Sequence, residues 1–134
     1  MIKKLNYTYA VGRRKESSAR VRLFHGKGEN TVNTKLASIY FPGEALNKIL
    51  TKPLGVTETS DKYYFSARVT GGGKMGQLEA VVLGLARALA KISPDKFKLQ
   101  LRRTNLLTRN SKEKLRRMVG TGGKARRRKQ SPKR

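Results

Sequence analysis

YYFSARVTGGGKMGQLEAVVLGLARALAK, residues 63–91, reads as a strand, a glycine turn and a helix. Tyr63, Phe65, Ala67 and Val69 alternate with Tyr64, Ser66, Arg68 and Thr70, the period of a half-buried strand over Tyr63 to Thr70. From Gln77 to Lys91 the period changes. Leu78, Val81, Val82, Leu85 and Leu89, with Ile92 beyond, recur three and four residues apart and form the apolar stripe of a helix on a core. Gly84, Ala86 and Ala88 are small, so this helix can lie close to a sheet.

Gly71 to Gly76 fits the spacing G-x-G-x-x-G between that strand and that helix, and Asp95 lies at about the right distance for a ribose contact. The spacing fits a dinucleotide enzyme, but the chain is too short for a doubly wound sheet plus a substrate domain. A Walker A loop fails because Gln77 stands where lysine is needed. Two readings stay open. Gly72 and Gly73 permit a tight strand-to-helix junction, and the same junction, with Lys74, offers backbone N–H groups to an RNA phosphate.

Upstream, Ser18 to His25 reads as a strand, with Ala19, Val21 and Leu23 on one face and Arg20, Arg22 and Phe24 on the other. Gly26-Lys27-Gly28 signals a turn, with a short return strand at Asn30 to Asn33. Lys35 to Tyr40 and Glu44 to Leu50 read as short helices, the second stopped by Pro53. Thr57 to Lys62 is a polar lead-in turn. Downstream, Ser93-Pro94 ends the long helix. Phe97, Leu99 and Leu101 alternate as in a strand, with a short helix as the alternative, and Ser111 to Val119 reads as a basic helix capped by Ser111.

Net charge is +24 over 134 residues. Residues 1–28 carry net +7, residues 29–98 net +4 and residues 99–134 net +13. An ordinary middle between two polycations is the electrostatic pattern of a nucleic-acid binder. The candidate phosphate contacts are Arg13, Arg14, Lys15, Arg20 and Arg22 at the N-terminal end. At the other end they are Arg102, Arg103, Arg109, Lys112, Arg116 and Arg117. Such contacts position a protein without reading sequence, which suits docking on a folded RNA. The aromatics are expected in the core or in strand pairs, with base stacking unsupported by sequence.

The segment GTGGKARRRKQSPKR (120–134) has seven bases, no acid and, Pro132 aside, no apolar side chain larger than alanine. It cannot build a core, so an extended tail, ordered only by a polyanion, is expected. Extended, it reaches roughly 50 Å at about 3.3 Å per residue. The expected organisation is a globular domain over 1–119, basic from about 99, followed by a tail over 120–134. There is no cysteine, so disulfides and thiolate metal sites are excluded. No histidine or acidic cluster has metal spacing. His25, the single histidine, reads as a surface residue. No cofactor and no catalytic residue is expected. No apolar run approaches a membrane span and no signal peptide is evident, so a cytoplasmic protein with no membrane partner is expected. The rival classes are a free nucleic-acid chaperone, which predicts similar affinity for any polyanion, and a nucleotide-dependent enzyme using the glycine loop.

Three stretches together resemble one family. GRRKESSARVRL (12–23), YFPGEALNKILTKPL (40–54) and GGGKMGQLEAVVLGLARAL (71–89) are similar to small-subunit ribosomal protein nine, and KARRRKQSPKR (124–134) resembles its bacterial-type tail. The resemblance implies an α+β fold: a two-layer sandwich of a four-stranded sheet with helices on one face and a left-handed βαβ crossover, against the usual hand. It implies binding to the rRNA of the small-subunit head, beside neighbouring ribosomal proteins, and support of head assembly. Lys124, Arg126, Arg127, Arg128 and Lys129 would line a path through rRNA, and Lys133 and Arg134 would touch the P-site tRNA anticodon stem-loop. The chain departs from the family pattern at two places. Asn105-Leu106-Leu107-Thr108-Arg109-Asn110 replaces the usual Gly-Leu-Leu-Thr-Arg-Asp, so an altered cap or RNA contact is expected. Pro132 restricts Ser131 next to the terminal basic pair.

Overall fold

The structure, a computed structural model, describes residues 6–127 and 129–131. Among these, five strands form one sheet: β1 (Tyr7–Arg14), β2 (Ser17–His25), β3 (Thr31–Val32), β4 (Lys35–Leu36) and β5 (Tyr63–Thr70). The helices are α1 (Ala37–Tyr40), α2 (Glu44–Val56), α3 (Lys74–Ile92) and α4 (Leu99–Arg103), with a π-helical turn, Pro94–Lys98, leading into α4.

The sheet order is β1-β2-β5-β3-β4. The two long pairings, β1 with β2 and β2 with β5, are antiparallel. β3 pairs parallel with β5, with Thr31 opposite Ser66 and Val32 opposite Ala67. The return strand therefore exists but does not fold back on β2. A crossover through α1 and α2 carries the chain from β3 to β5. The fifth strand, absent from the four-stranded expectation, is the two-residue β4 paired with β3.

Alternation sorts the sheet into two faces. Ala19, Val21 and Leu23 of β2 and Phe65, Ala67 and Val69 of β5 are buried, together with Ala10 of β1. α3 covers this inner face, with Leu78, Val81, Leu85 and Leu89 fully buried, and α2 packs beside it through Leu50 and Leu54. The closest approach is backbone on backbone. A Cβ on Gly12 would lie 2.0 Å from the Ala80 carbonyl oxygen and 2.4 Å from the Gly84 nitrogen. A Cβ on Gly84 would lie 2.7 Å from Val21 Cγ2. β1 is an edge strand, and its exposed carbonyls are taken by α3: Arg87 donates to Val11 O at 2.9 Å and Lys91 to Tyr9 O at 2.7 Å.

Three further expectations need correction, and one open alternative is decided. Pro53 does not stop α2 but lies inside it, fully packed against the core, three residues before the end. The helix-breaking cost is confined to one missing donor in the last turns. Lys35 and Leu36 form β4, so only Ala37–Tyr40 is helical there. At residues 97–101 the structure takes the short helix rather than the strand. Leu101 is buried while Leu99 is 55% exposed, so no common apolar face exists at period two. Residues 111–119 form no helix and are exposed throughout. Leu115, Met118 and Val119 have the spacing of one helical face but stay exposed, so no surface buries them, and most helix stability comes from such burial.

Candidate nucleic-acid interface

The same alternation that builds the core puts arginine on the opposite face of the sheet. Register sets outward residues in rows: Tyr7 beside Phe24 beside Tyr64, Tyr9 beside Arg22 beside Ser66, Val11 beside Arg20 beside Arg68, and Arg13 beside Ser18 beside Thr70. Arg13, Arg20, Arg22 and Arg68 are all exposed. The ion pairs found among the described residues are Arg14 with Glu79 and Lys48 with Glu44, so none of these four arginines has a carboxylate partner there. Arg20 and Arg68 are direct cross-strand neighbours. Like charges placed opposite one another destabilise a sheet, and a phosphate between them removes the repulsion while accepting charge-assisted hydrogen bonds. The first row is an aromatic ladder, with ring centroids 5.7 Å apart for Tyr7 and Phe24 and 5.1 Å for Phe24 and Tyr64. These are strand pairs, as expected. Arg22 lies over the Tyr7 ring at 5.1 Å.

Gly12-Arg13-Arg14-Lys15 does not act as one patch. Arg13 faces outward, and Lys15 is exposed in the β1–β2 turn with φ of 51°. Arg14 points to the helical layer, where it pairs with Glu79 and donates to the Lys112 carbonyl. It ties the C-terminal segment to the domain. The glycine turn closes on the same β1–β2 turn. Gly71 and Gly72 have φ of 76° and 65°. A Cβ on Gly71 would meet Glu16 O at 2.6 Å, and one on Gly72 would meet Ser17 Oγ at 2.2 Å. Ser17 Oγ donates to Gly71 O at 3.0 Å. The strand-to-helix junction thus wraps Ser17, which accounts for two glycines without a dinucleotide. Gly73 is open on its Cβ side. Lys74 is exposed but lies 3.6 Å from the Tyr40 ring centroid and donates to Tyr40 O at 3.2 Å. The Tyr40 hydroxyl donates to Gln77 Oε1 at 2.7 Å, and Gln77 Nε2 returns to Gly71 O at 3.1 Å.

Arg102 and Arg103 lie exposed on α4. Arg109, Lys112, Arg116, Arg117, Lys124, Arg126, Arg127 and Lys129 are exposed on chain without helix or strand. Arg128, Pro132, Lys133 and Arg134 lie outside the described residues. The departures at 105 and 110 are accommodated locally. Asn105 adopts φ of 58°, a conformation asparagine tolerates nearly as well as glycine. Asn110 Oδ1 accepts the Lys112 N–H at 3.0 Å, a local turn that caps no helix, since none follows among the described residues.

Arg68 and Tyr9 join this face although sequence reasoning did not single them out. The signal for Arg68 was its place on the polar side of Tyr63 to Thr70. Its meaning depends on β5 lying beside β2, which no local pattern reports.

The sequence profile of the family described as "Ribosomal protein S9/S16" matches residues 12–134. The chain belongs to that family. It is 42% identical over 118 residues to the small ribosomal subunit protein uS9 of Maridesulfovibrio salexigens, covering 88% of this chain and 90% of that protein. To the uS9 protein of Amoebophilus asiaticus it is 45% identical over 103 residues, covering 77% and 80%. As a member of the S9/S16 family, the chain is a ribosomal protein of the small subunit. Among its described residues no helix is long and apolar enough to cross a membrane.

Proposed function

We propose that this protein is a structural, non-catalytic constituent of the small ribosomal subunit that binds the rRNA of the head and supports its assembly. The observation that carries the reading is the outer sheet face, where four arginines stand on paired strands without an acid among them. Arg102 to Arg117 and Lys124 to Lys129 extend that basic surface along rRNA, beside neighbouring ribosomal proteins. In the same reading the β3-to-β5 crossover is left-handed, a sense that an experimental density map reads directly. The test is sedimentation. After a high-salt wash, small subunits from cells producing the tagged chain retain it stoichiometrically. A free nucleic-acid chaperone washes off, and that outcome would overturn the reading.

The tail over 120–134 reaches the P site, where Lys133 and Arg134 contact the tRNA anticodon stem-loop. This reading rests on the family resemblance of residues 124–134 and on their charge. Each charge-assisted phosphate contact contributes about 1.5–3 kcal/mol before ordering costs. Deleting Lys133 and Arg134 therefore speeds P-site tRNA dissociation. Unchanged dissociation removes the tRNA role and leaves the rRNA role standing.

A further inference from the structure

Between the arginine rows the outer sheet face is concave. Tyr9, Arg20, Arg22, Asn33, Thr34 and Arg68 line a depression of about 440 Å³, open to solvent. Clefts of ~300–1,000 Å³ are the size that holds small ligands. Three walls are guanidinium groups without an acid among the described residues. The fourth is Tyr9, the exposed aromatic of this face, 42% accessible, where Tyr7, Phe24 and Tyr64 are half-covered by one another. Tyr9 is also fixed from behind. Its main chain pairs with Arg22 on one side, and Lys91 holds its carbonyl on the other. Asn33, also in the lining, is locked by three hydrogen bonds, two with Val69 and one with the Tyr40 hydroxyl.

We infer that this depression is a binding site for a single unpaired RNA nucleotide, with its base on the Tyr9 ring and its phosphates between Arg20, Arg22 and Arg68. The inference deepens the rRNA reading and rests on it. A-form duplex is recognised by shape across a shallow groove, whereas splayed-out bases are held on aromatic rings and guanidinium planes. A concave, nucleotide-sized site with one exposed ring on a held backbone and three arginines matches the second mode. The facing pair Arg20 and Arg68 is relieved by a phosphate and by no group the sheet itself supplies.

The probes are a fluorescein-labelled oligouridylate and an RNA duplex of equal length, each titrated with the full chain. The basic tail binds both, so the ratio of the two affinities is the readout. Tyr9→Ala is expected to lower the single-strand to duplex ratio about tenfold, the size of one lost base–aromatic stack. Tyr9→Phe keeps the ratio, because stacking needs only the ring. Arg68→Ala is expected to weaken single-strand binding and to make its salt dependence shallower by about one unit of slope. Circular dichroism melts verify that each variant is folded. An unchanged ratio in Tyr9→Ala, or an equal loss in Tyr9→Phe, overturns the site. If that happens while the chain still sediments with washed small subunits, the rRNA reading survives. If sedimentation fails while the Tyr9 dependence holds, the nucleotide site stands and the ribosomal placement falls.

Discussion

Gly12 and Gly84 set the spacing between sheet and helix, because each lies where a methyl group would enter the other layer. Gly12→Ala must push Ala80 O and Gly84 N away, both backbone atoms. The expected cost is about 3 kcal/mol, the upper end of ordinary overpacking, read as a lower midpoint in urea at unchanged slope. Arg68 makes the opposite kind of prediction. It faces Arg20 across the β2–β5 pair and has no ion-pair partner among the described residues. Arg68→Gln should leave stability within about 0.5 kcal/mol, as for other surface changes, or raise it slightly, while RNA affinity falls. A side chain kept for folding would show the reverse. Arg14 differs from both. Its guanidinium holds Glu79 and the Lys112 carbonyl. Arg14→Ala should cost at most about 1 kcal/mol, because Glu79 and Lys112 are exposed and water replaces the guanidinium, but should speed proteolysis within 104–119.

The elements were legible in proportion to how completely their own side chains make their contacts. α3 carries its full apolar stripe from Leu78 to Leu89, and the helix was readable, missing only its first turn at Lys74. β2 and β5 alternate cleanly and were readable to within one residue. β1 was missed for a physical reason. α3 lies so close that β1 turns Ala10 and Gly12 inward, and small residues leave no hydrophobic period to see. Residues 97–101 leave strand and short helix open in sequence because Phe97, Leu99 and Leu101 alternate, while burial of Leu101 without Leu99 belongs to the helix. The arginine face was half legible. Arg20 and Arg22 follow from one strand's alternation, whereas Arg68 and Tyr9 come alongside only through the order β1-β2-β5. The sequence alone groups Arg14 with the same patch, but strand alternation turns it to the other side.

At the scale of the whole chain, charge dominates. A net +24 on 134 residues burdens the compact state with self-repulsion. Added salt screens that repulsion over about 10 Å at ~0.1 M. The melting temperature of the free protein should therefore rise with ionic strength, by on the order of 5 °C for each ~1 kcal/mol regained. A flat response in calorimetry would mean the bases are too dispersed to strain the fold. Removing 120–134 takes away seven bases but no core residue named above. The domain should melt within a few degrees of the full chain, while its salt slope for RNA binding becomes shallower. The central claim is that the sheet's outer face is the side turned to rRNA. Ultraviolet crosslinking of assembled small subunits, followed by mass spectrometry of the crosslinked peptides, tests it most directly. The account predicts rRNA attached to peptides containing Tyr9, Arg20 to Arg22, or Arg68. Crosslinks concentrated on α2, with none on β1, β2 or β5, would contradict it.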